Sequence, residues 1–303
     1  MQNSPNSSFK TNILTSASLD TVWEHLTTEK KLTRWLCNSC NPSLVPGSSW
    51  EPLGVNFWGG ELNVLIASEK SQLALRWSLE GFQSLVHFRV SAADADKTLI
   101  ELAVEYPVKG EFGFGKEANT STSMKILWDY HMVQLKLLCE GIKPVHRVDI
   151  LKPEGLAIRF FYTDSDNPEL SSSDLMKTLF TPPCVELFKR DIHTLEATGT
   201  QEKGMDEISW QQASSENTLT HPISINKETG QFFSISTKTE LNSAKLLIEV
   251  AEKSIEFKQD GFNKRVELQN LFELEWTTLI NLVKYYAIKG TKTSDWLDVS
   301  ITN

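Results

Sequence analysis

The chain is poor in the residues that staple small proteins and in the runs that cross membranes. Its four cysteines, Cys37, Cys40, Cys139 and Cys184, are too few in 303 residues for a disulfide framework, so a reducing cytoplasm is the expected compartment. No apolar run approaches the roughly 20 residues of a spanning helix. The polar stretch Met1 to Ser8 lacks the basic and hydrophobic parts of a signal peptide. Positive charge is also scarce: 30 Lys and Arg against 39 Asp and Glu give a net charge of −9. With no Lys/Arg cluster interleaved with aromatics, neither nucleic acid nor a membrane is an expected partner. The sequons at Asn6 and Asn119 have little meaning in that compartment. Tryptophan, in contrast, is plentiful, with nine residues. Large aromatics either fill a core or line an apolar cavity.

Self-comparison is the most informative operation on this sequence. Lys97-Thr-Leu-Ile-Glu-Leu-Ala103 reappears as Lys245-Leu-Leu-Ile-Glu-Val-Ala251, an offset of 148 (245 − 97). The same offset carries Gly113-Phe114 onto Gly261-Phe262, Trp128 onto Trp276 and Lys136 onto Lys284. The candidate strand Phe9 to Thr15 falls on Ala157 to Thr163, within Leu156 to Tyr162. Ser18 to Thr27 matches Ser171 to Phe180 after a longer loop around Asn167-Pro168. These matches indicate a duplication, with domains over 1–146 and 147–303. The interruptions by Gly141, Pro144 and Pro153 mark the boundary. Asp191 to Thr229 aligns poorly, and its strands are not assigned.

Within each half the periodicity changes from helix to strand and back. Ser18 is an N-cap for a helix carrying Val22, Trp23 and Leu26, with Asp20 in its first turn. A second short helix carries Leu32, Trp35 and Leu36 and ends by Asn41-Pro42. Four period-two segments follow: Leu62, Val64 and Ile66; Leu73, Leu75 and Trp77; Val86, Phe88 and Val90; Ile100, Leu102 and Val104. Such alternation predicts strands with one buried and one wet face. Trp128, Met132, Leu135, Cys139 and Ile142 then form a helical stripe, with Ser123 as its expected cap. Trp276, Leu279, Val283 and Tyr286 repeat the stripe, which Gly290 is placed to end. The fold class is α+β.

The order of these elements, with these residues, resembles the SRPBCC or START-like superfamily, and within it the heat-shock-protein-90 ATPase activator-like group. The resemblance rests on Ser18 to Leu36, Pro46-Gly47-Ser-Ser-Trp50, Gly60-Glu61-Leu62 leading into Leu75-Arg-Trp77, and Trp128 to Lys143. It covers nearly all of the first half and the ends of the second. It implies two tandem helix-grip domains, each a curved antiparallel sheet packed on a long C-terminal helix, often around an apolar cavity. Members include lipid carriers, polyketide cyclases and aromatases, stress proteins and the chaperone activator, so the fold does not fix the function.

Candidate chemistry is sparse. Cys37-Asn-Ser-Cys40 has the spacing of a metal or redox motif, yet zinc needs about four ligands and no second CxxC exists, so two incidental thiols in a loop are expected. Gly110-Glu-Phe-Gly-Phe-Gly115 follows a late strand rather than opening a βαβ unit, which makes it a loop before the helix. His25 and Glu24 lie on the first helix, His131 and Asp129 on the last. Asp129 is expected to face water, and His131 to be structural or to reach the cavity edge. His87, Arg89, Glu101 and Glu105 fall on the wet side of the sheet. No Ser/His/Asp or Cys/His constellation emerges, and no cofactor or metal is expected. The inward residues Trp35, Leu75, Trp77, Phe88, Ile100, Trp128, Met132 and Leu135 either line a ligand cavity or fill a core, because periodicity reports only inward orientation. The expected function is non-enzymatic binding of a small hydrophobic molecule. The alternatives are a chaperone-cofactor-like module that binds a chaperone or another protein, and, third, a polyketide cyclase-like enzyme.

Overall fold

Alternating apolar and polar side chains build the first sheet, and a computed structural model gives its layout. The structure describes residues 6–52, 60–79, 82–94, 96–107, 120–152, 155–161, 178, 195–202, 205–213, 218–226, 231–239, 242–250, 254–260 and 266–289. They fall into two compact units, one ending at Pro144 and the next beginning at Val145.

In the first unit the strands are β1 (Asn6–Thr15), β2 (Ser49–Trp50), β3 (Glu61–Ser68), β4 (Gln72–Leu79), β5 (Phe82–Asp94) and β6 (Lys97–Pro107). They form one six-stranded sheet in the order β1-β6-β5-β4-β3-β2, with every pair antiparallel. The chain's first strand thus pairs with the last strand before the long helix, Asn6 opposite Pro107 and Thr15 opposite Thr98. Between β1 and β2 lie the helices α1 (Leu19–Thr27) and α2 (Glu29–Leu32). Ser18 caps α1, its Oγ accepting from the Thr21 N–H at 3.2 Å, and Asp20 sits in the first turn. A turn with Gly47 at φ +90° leads into β2 and lies against β3. There the Gly47 N–H donates to the Val64 carbonyl and the Val64 N–H to Ser48, both at 2.8 Å. Helix α3 (Thr120–Cys139) closes the unit and packs on β1.

Several details differ from the sequence pattern. Ile66 is exposed rather than inward. A bulge between Val64 and Ile66 inserts an extra residue, so Val64 faces Leu75 while Ile66 faces Ala74, and the alternation changes phase. Ser123 lies inside α3 rather than capping it. Asp129 is buried instead of facing water and pairs with Lys125. The stripe on α3 therefore understates its burial: Met124 and every residue from Ile126 to Leu137 are buried, so an apolar face read from one period covers only part of the contact.

The second unit contains β7 (His146–Lys152), β8 (Gly155–Phe161), β9 (Leu195–Glu202), β10 (Met205–Ala213), β11 (Thr218–Asn226), β12 (Gln231–Thr239), β13 (Asn242–Val250), β14 (Ser254–Asp260) and a long helix, α4 (Val266–Lys289). Its eight-stranded sheet runs β7-β8-β14-β13-β12-β11-β10-β9. Again an early strand, β8, pairs with the one preceding the long helix, β14. Three strands, β9 to β11, occupy most of the stretch that the sequence left unassigned. The offset of 148 meets a correction here. It carries Lys97 to Ala103, in the last strand before α3, onto a segment that begins in β13, the penultimate strand before α4. Period-two strands resemble one another, and the residues that separate β6 from α3 correspond in number to residues the second half uses for β14. Gly110 to Gly115, Gly261-Phe262, Gly290, Cys184 and the second half's counterpart of α1 lie outside the described residues, Thr178 excepted.

Candidate functional site

The interior between the first sheet and α3 is where the sequence placed its candidate residues. Strand alternation sends Thr11, Ile13 and Thr15 of β1 inward, together with Ile100, Leu102 and Val104 of β6, Ser84, Val86 and Phe88 of β5, and Leu73, Leu75 and Trp77 of β4. All eight named residues, Trp35, Leu75, Trp77, Phe88, Ile100, Trp128, Met132 and Leu135, are buried. Three of them meet as rings. Phe88 stands edge-on to Trp35, with centroids 6.3 Å apart, and edge-on to Trp128 at 6.0 Å. Trp77 lies across from Leu62 on one side and Ser84 on the other. Leu75 is opposite Val86, and Ile100 is opposite Ile13 and Val90.

Trp35 is the hub. Its indole N–H donates to the His25 carbonyl at 2.9 Å, while its own carbonyl accepts from His131 Nδ1 at 2.9 Å. His131 is fully buried among Trp35, Trp128 and Tyr130, with centroid distances of 6.1, 5.7 and 5.2 Å. It ties α3 to the segment after α2, which is a structural role. His87, Arg89, Glu101 and Glu105 lie on the outer side of the sheet, with Arg89 and Glu105 exposed.

Two residues that the sequence reading missed stand out for their polarity. Thr11 Oγ1 and Ser84 Oγ are buried on the inner face without a hydrogen-bond partner, as is Trp128 Nε1. Thr11 shares a cross-strand row with Leu102 and Phe88. Both hydroxyls have the strand phase of their inward neighbours, Ile13 and Val86, and that phase was the signal available. Buried polar atoms of this kind cost about 1–3 kcal/mol each unless something satisfies them.

His25 is buried on α1, with Nδ1 donating to the Thr21 carbonyl at 2.8 Å and Nε2 lacking a partner. Burial lowers its pKa from the ordinary 6.5. The Thr21 bond opposes that shift, and the charges of Lys31 and Arg34 add to it. The unfolded chain therefore takes up a proton before the native one does, so stability falls as pH drops below 6.5 towards the native pKa and changes no further below it. His87 is lowered in the same direction by burial and by Arg89. A His25→Gln variant is expected to keep the His87 part of the slope and lose its own. Urea midpoints measured between neutral and mildly acidic pH check this, and equal slopes in the two proteins would refute it.

A second feature lies away from this interior. Ser39, Cys40, Asn41, Ser49 and Glu51 line a solvent-open cleft of about 350 Å³. Among the described residues no group of three or more His, Cys, Asp or Glu could hold a metal ion, and no helix is long and apolar enough to cross a membrane.

No protein-family model matches the chain, and no curated protein does. Solved structures give weak likenesses. The Aha1 dimer from Colwellia psychrerythraea is 16% identical, with 44% of this chain and 96% of that one covered at a TM-score of 0.36. DynU16, a protein in the dynemicin biosynthetic locus, is 14% identical and covers 93% of this chain and 100% of its own at 0.38. EF2215 from Enterococcus faecalis, a protein of unknown function, is 19% identical over 46% of this chain and 74% of its own, at 0.37. At these scores none assigns the chain to a family.

Proposed function

We propose that this chain is a non-enzymatic, START-like binding protein built from two diverged helix-grip domains, the first of which accepts a small hydrophobic ligand between sheet and helix. Trp35, Leu75, Trp77, Phe88, Ile100, Trp128, Met132 and Leu135 supply the apolar contact. The observation that carries the reading is the set of unpartnered polar atoms, Thr11 Oγ1, Ser84 Oγ and Trp128 Nε1, buried among the apolar residues of the sheet and α3. An apolar enclosure with a few polar groups is the usual composition of a small-molecule site, and a ligand with an apolar body and a polar end would satisfy them. The duplication is supported by strand order and by Lys136 and Lys284. Each is a fully buried lysine on the long helix of its own unit, at the repeat offset. Lysine is almost never fully buried unless paired, which makes a chance coincidence a poor explanation.

A fatty-acid-like probe tests this reading. It is expected to bind the folded protein and quench tryptophan fluorescence, and Leu135→Trp is expected to weaken binding with little loss of stability. In a filled core the same substitution overpacks α3 against the sheet and costs about 1–3 kcal/mol. Absence of probe binding together with that loss would rule out the carrier reading. The chaperone-cofactor-like alternative would then lead. It has in its favour the exposed Leu44 and Val45, which precede the turn hydrogen-bonded to Val64.

A further inference from the structure

Two inward hydroxyls of the first sheet stand out because others on the same face are satisfied. Thr15 Oγ1 accepts from the Ala17 N–H at 3.2 Å, and Thr98 Oγ1 donates to the Ala17 carbonyl at 2.7 Å. Thr11 and Ser84 are each 1% exposed, yet neither hydroxyl has a partner. Trp128 Nε1, on α3 beside Phe88, is a third such group. The ammonium groups of Lys125 and Lys136 on the same helix are each paired with a carboxylate, Asp129 and Glu140 respectively.

The two orphaned hydroxyls do not converge. Thr11 lies opposite Leu102, which lies opposite Phe88, so Thr11 and Phe88 share one cross-strand row with β6 between them. Ser84 is on the same strand as Phe88, four positions earlier, and opposite Trp77. Strand and sheet spacings then put Thr11 and Ser84 roughly 16 Å apart between Cα atoms. A single small head group does not reach both. Separate polar atoms of one long molecule do.

We propose that the ligand of the first unit is an elongated, uncharged molecule whose apolar body carries hydroxyl or carbonyl oxygens at separate points, one met by Thr11 and another by Ser84. This ligand class presupposes the carrier reading above and narrows it. Each hydroxyl can donate or accept, whereas the indole N–H of Trp128 only donates, so an acceptor oxygen suits it and an ammonium does not. An anionic head group needs several donors around it, and Thr11 and Ser84 are too far apart to share one. A charge brought into this interior without a counter-ion loses its hydration unrepaid, while a neutral oxygen recovers its hydrogen bond from a single hydroxyl. The fold alone bears the cost of these unmet groups, and binding relieves it.

The test titrates the full chain, by calorimetry at neutral pH, with three probes sharing one apolar body: dodecanediol with a hydroxyl at each end, dodecanol and dodecanoate. Dodecanediol is expected to bind about fivefold more tightly than dodecanol, and dodecanoate about tenfold more weakly than dodecanol. Thr11→Val and Ser84→Ala should each remove the advantage of the diol over dodecanol. Neither should lower the urea midpoint, because each deletes a buried hydroxyl that has no partner in the fold; a hydroxyl with a structural role would lower it. The parent protein alone already ranks the probes, so the test survives a variant that fails to fold. If none of the three binds, the carrier reading falls and this ligand class with it. If dodecanoate matches dodecanol, if the diol has no advantage, or if that advantage survives either substitution, the carrier reading stands and the proposed ligand class is overturned.

Discussion

Replacing Lys136 with alanine is expected to remove about 3–5 kcal/mol of stability, read as a lowered urea midpoint at unchanged slope. Lys136, in the last turn of α3, and Glu140, just past its end, form an i,i+4 ion pair at 3.0 Å with side chains 1% and 2% exposed. The ammonium also donates to the Leu14 carbonyl, and Glu140 Oε1 accepts from the Ser16 N–H at 3.3 Å. The pair therefore clamps the last turns of α3 to the end of β1. Removing the lysine alone takes the Lys136 ammonium away from a buried carboxylate, which is costlier than losing the attraction. Replacing both, as Lys136→Met with Glu140→Gln, is expected to recover most of the loss. If the double variant is as unstable as Lys136→Ala, the buried-charge explanation fails and local packing must account for the effect.

Trp35→Ala is expected to cost about 3–5 kcal/mol as well, by another route. The indole fills space beside Phe88 and His131, and its N–H satisfies the His25 carbonyl. Truncation leaves a cavity and an unpaired buried acceptor. Trp35→Phe keeps most of the ring volume but not the donor, so a smaller loss of about 1–3 kcal/mol is expected from the orphaned carbonyl. Chemical denaturation of the three proteins separates the packing and hydrogen-bond contributions. Equal losses for Ala and Phe would assign the whole effect to the hydrogen bond.

The comparison of these residues with the sequence pattern shows what periodicity can convey. Phase along a strand specifies a face, so Trp77, Phe88 and Ile100 were legible as inward residues. It failed at Ile66, because a bulge changes phase without any marker in the side chains. The helix was legible in its position but not in its surroundings. A single apolar stripe implies a solvent-facing Asp129, whereas every residue from Ile126 to Leu137 is buried and Asp129 is paired with Lys125. Thr11 and Ser84 are the opposite case: they share the phase of their inward neighbours, but apolar periodicity carries no mark of a polar residue. The cleft beside Cys40 had no sequence signal at all, since Ser39 and Asn41 come together with Ser49 and Glu51 only through the turn at Gly47.

The pairing of β1 with β6 has a consequence for how the molecule comes into being. During synthesis β1 leaves the ribosome long before β6, its sheet neighbour among the described residues, exists, because Asn6 must wait for Pro107 and Thr15 for Thr98. The local hairpins β3–β4 and β4–β5 can form early, whereas closing β1 onto β6 spans nearly the whole unit and carries the largest loop-closure entropy. Completion of this sheet is thus a late step in the birth of the first unit, and until then the inward row of Thr11, Ile13 and Thr15 has no strand beside it. Chaperones that shield emerging chains would meet the protein with this segment unpaired.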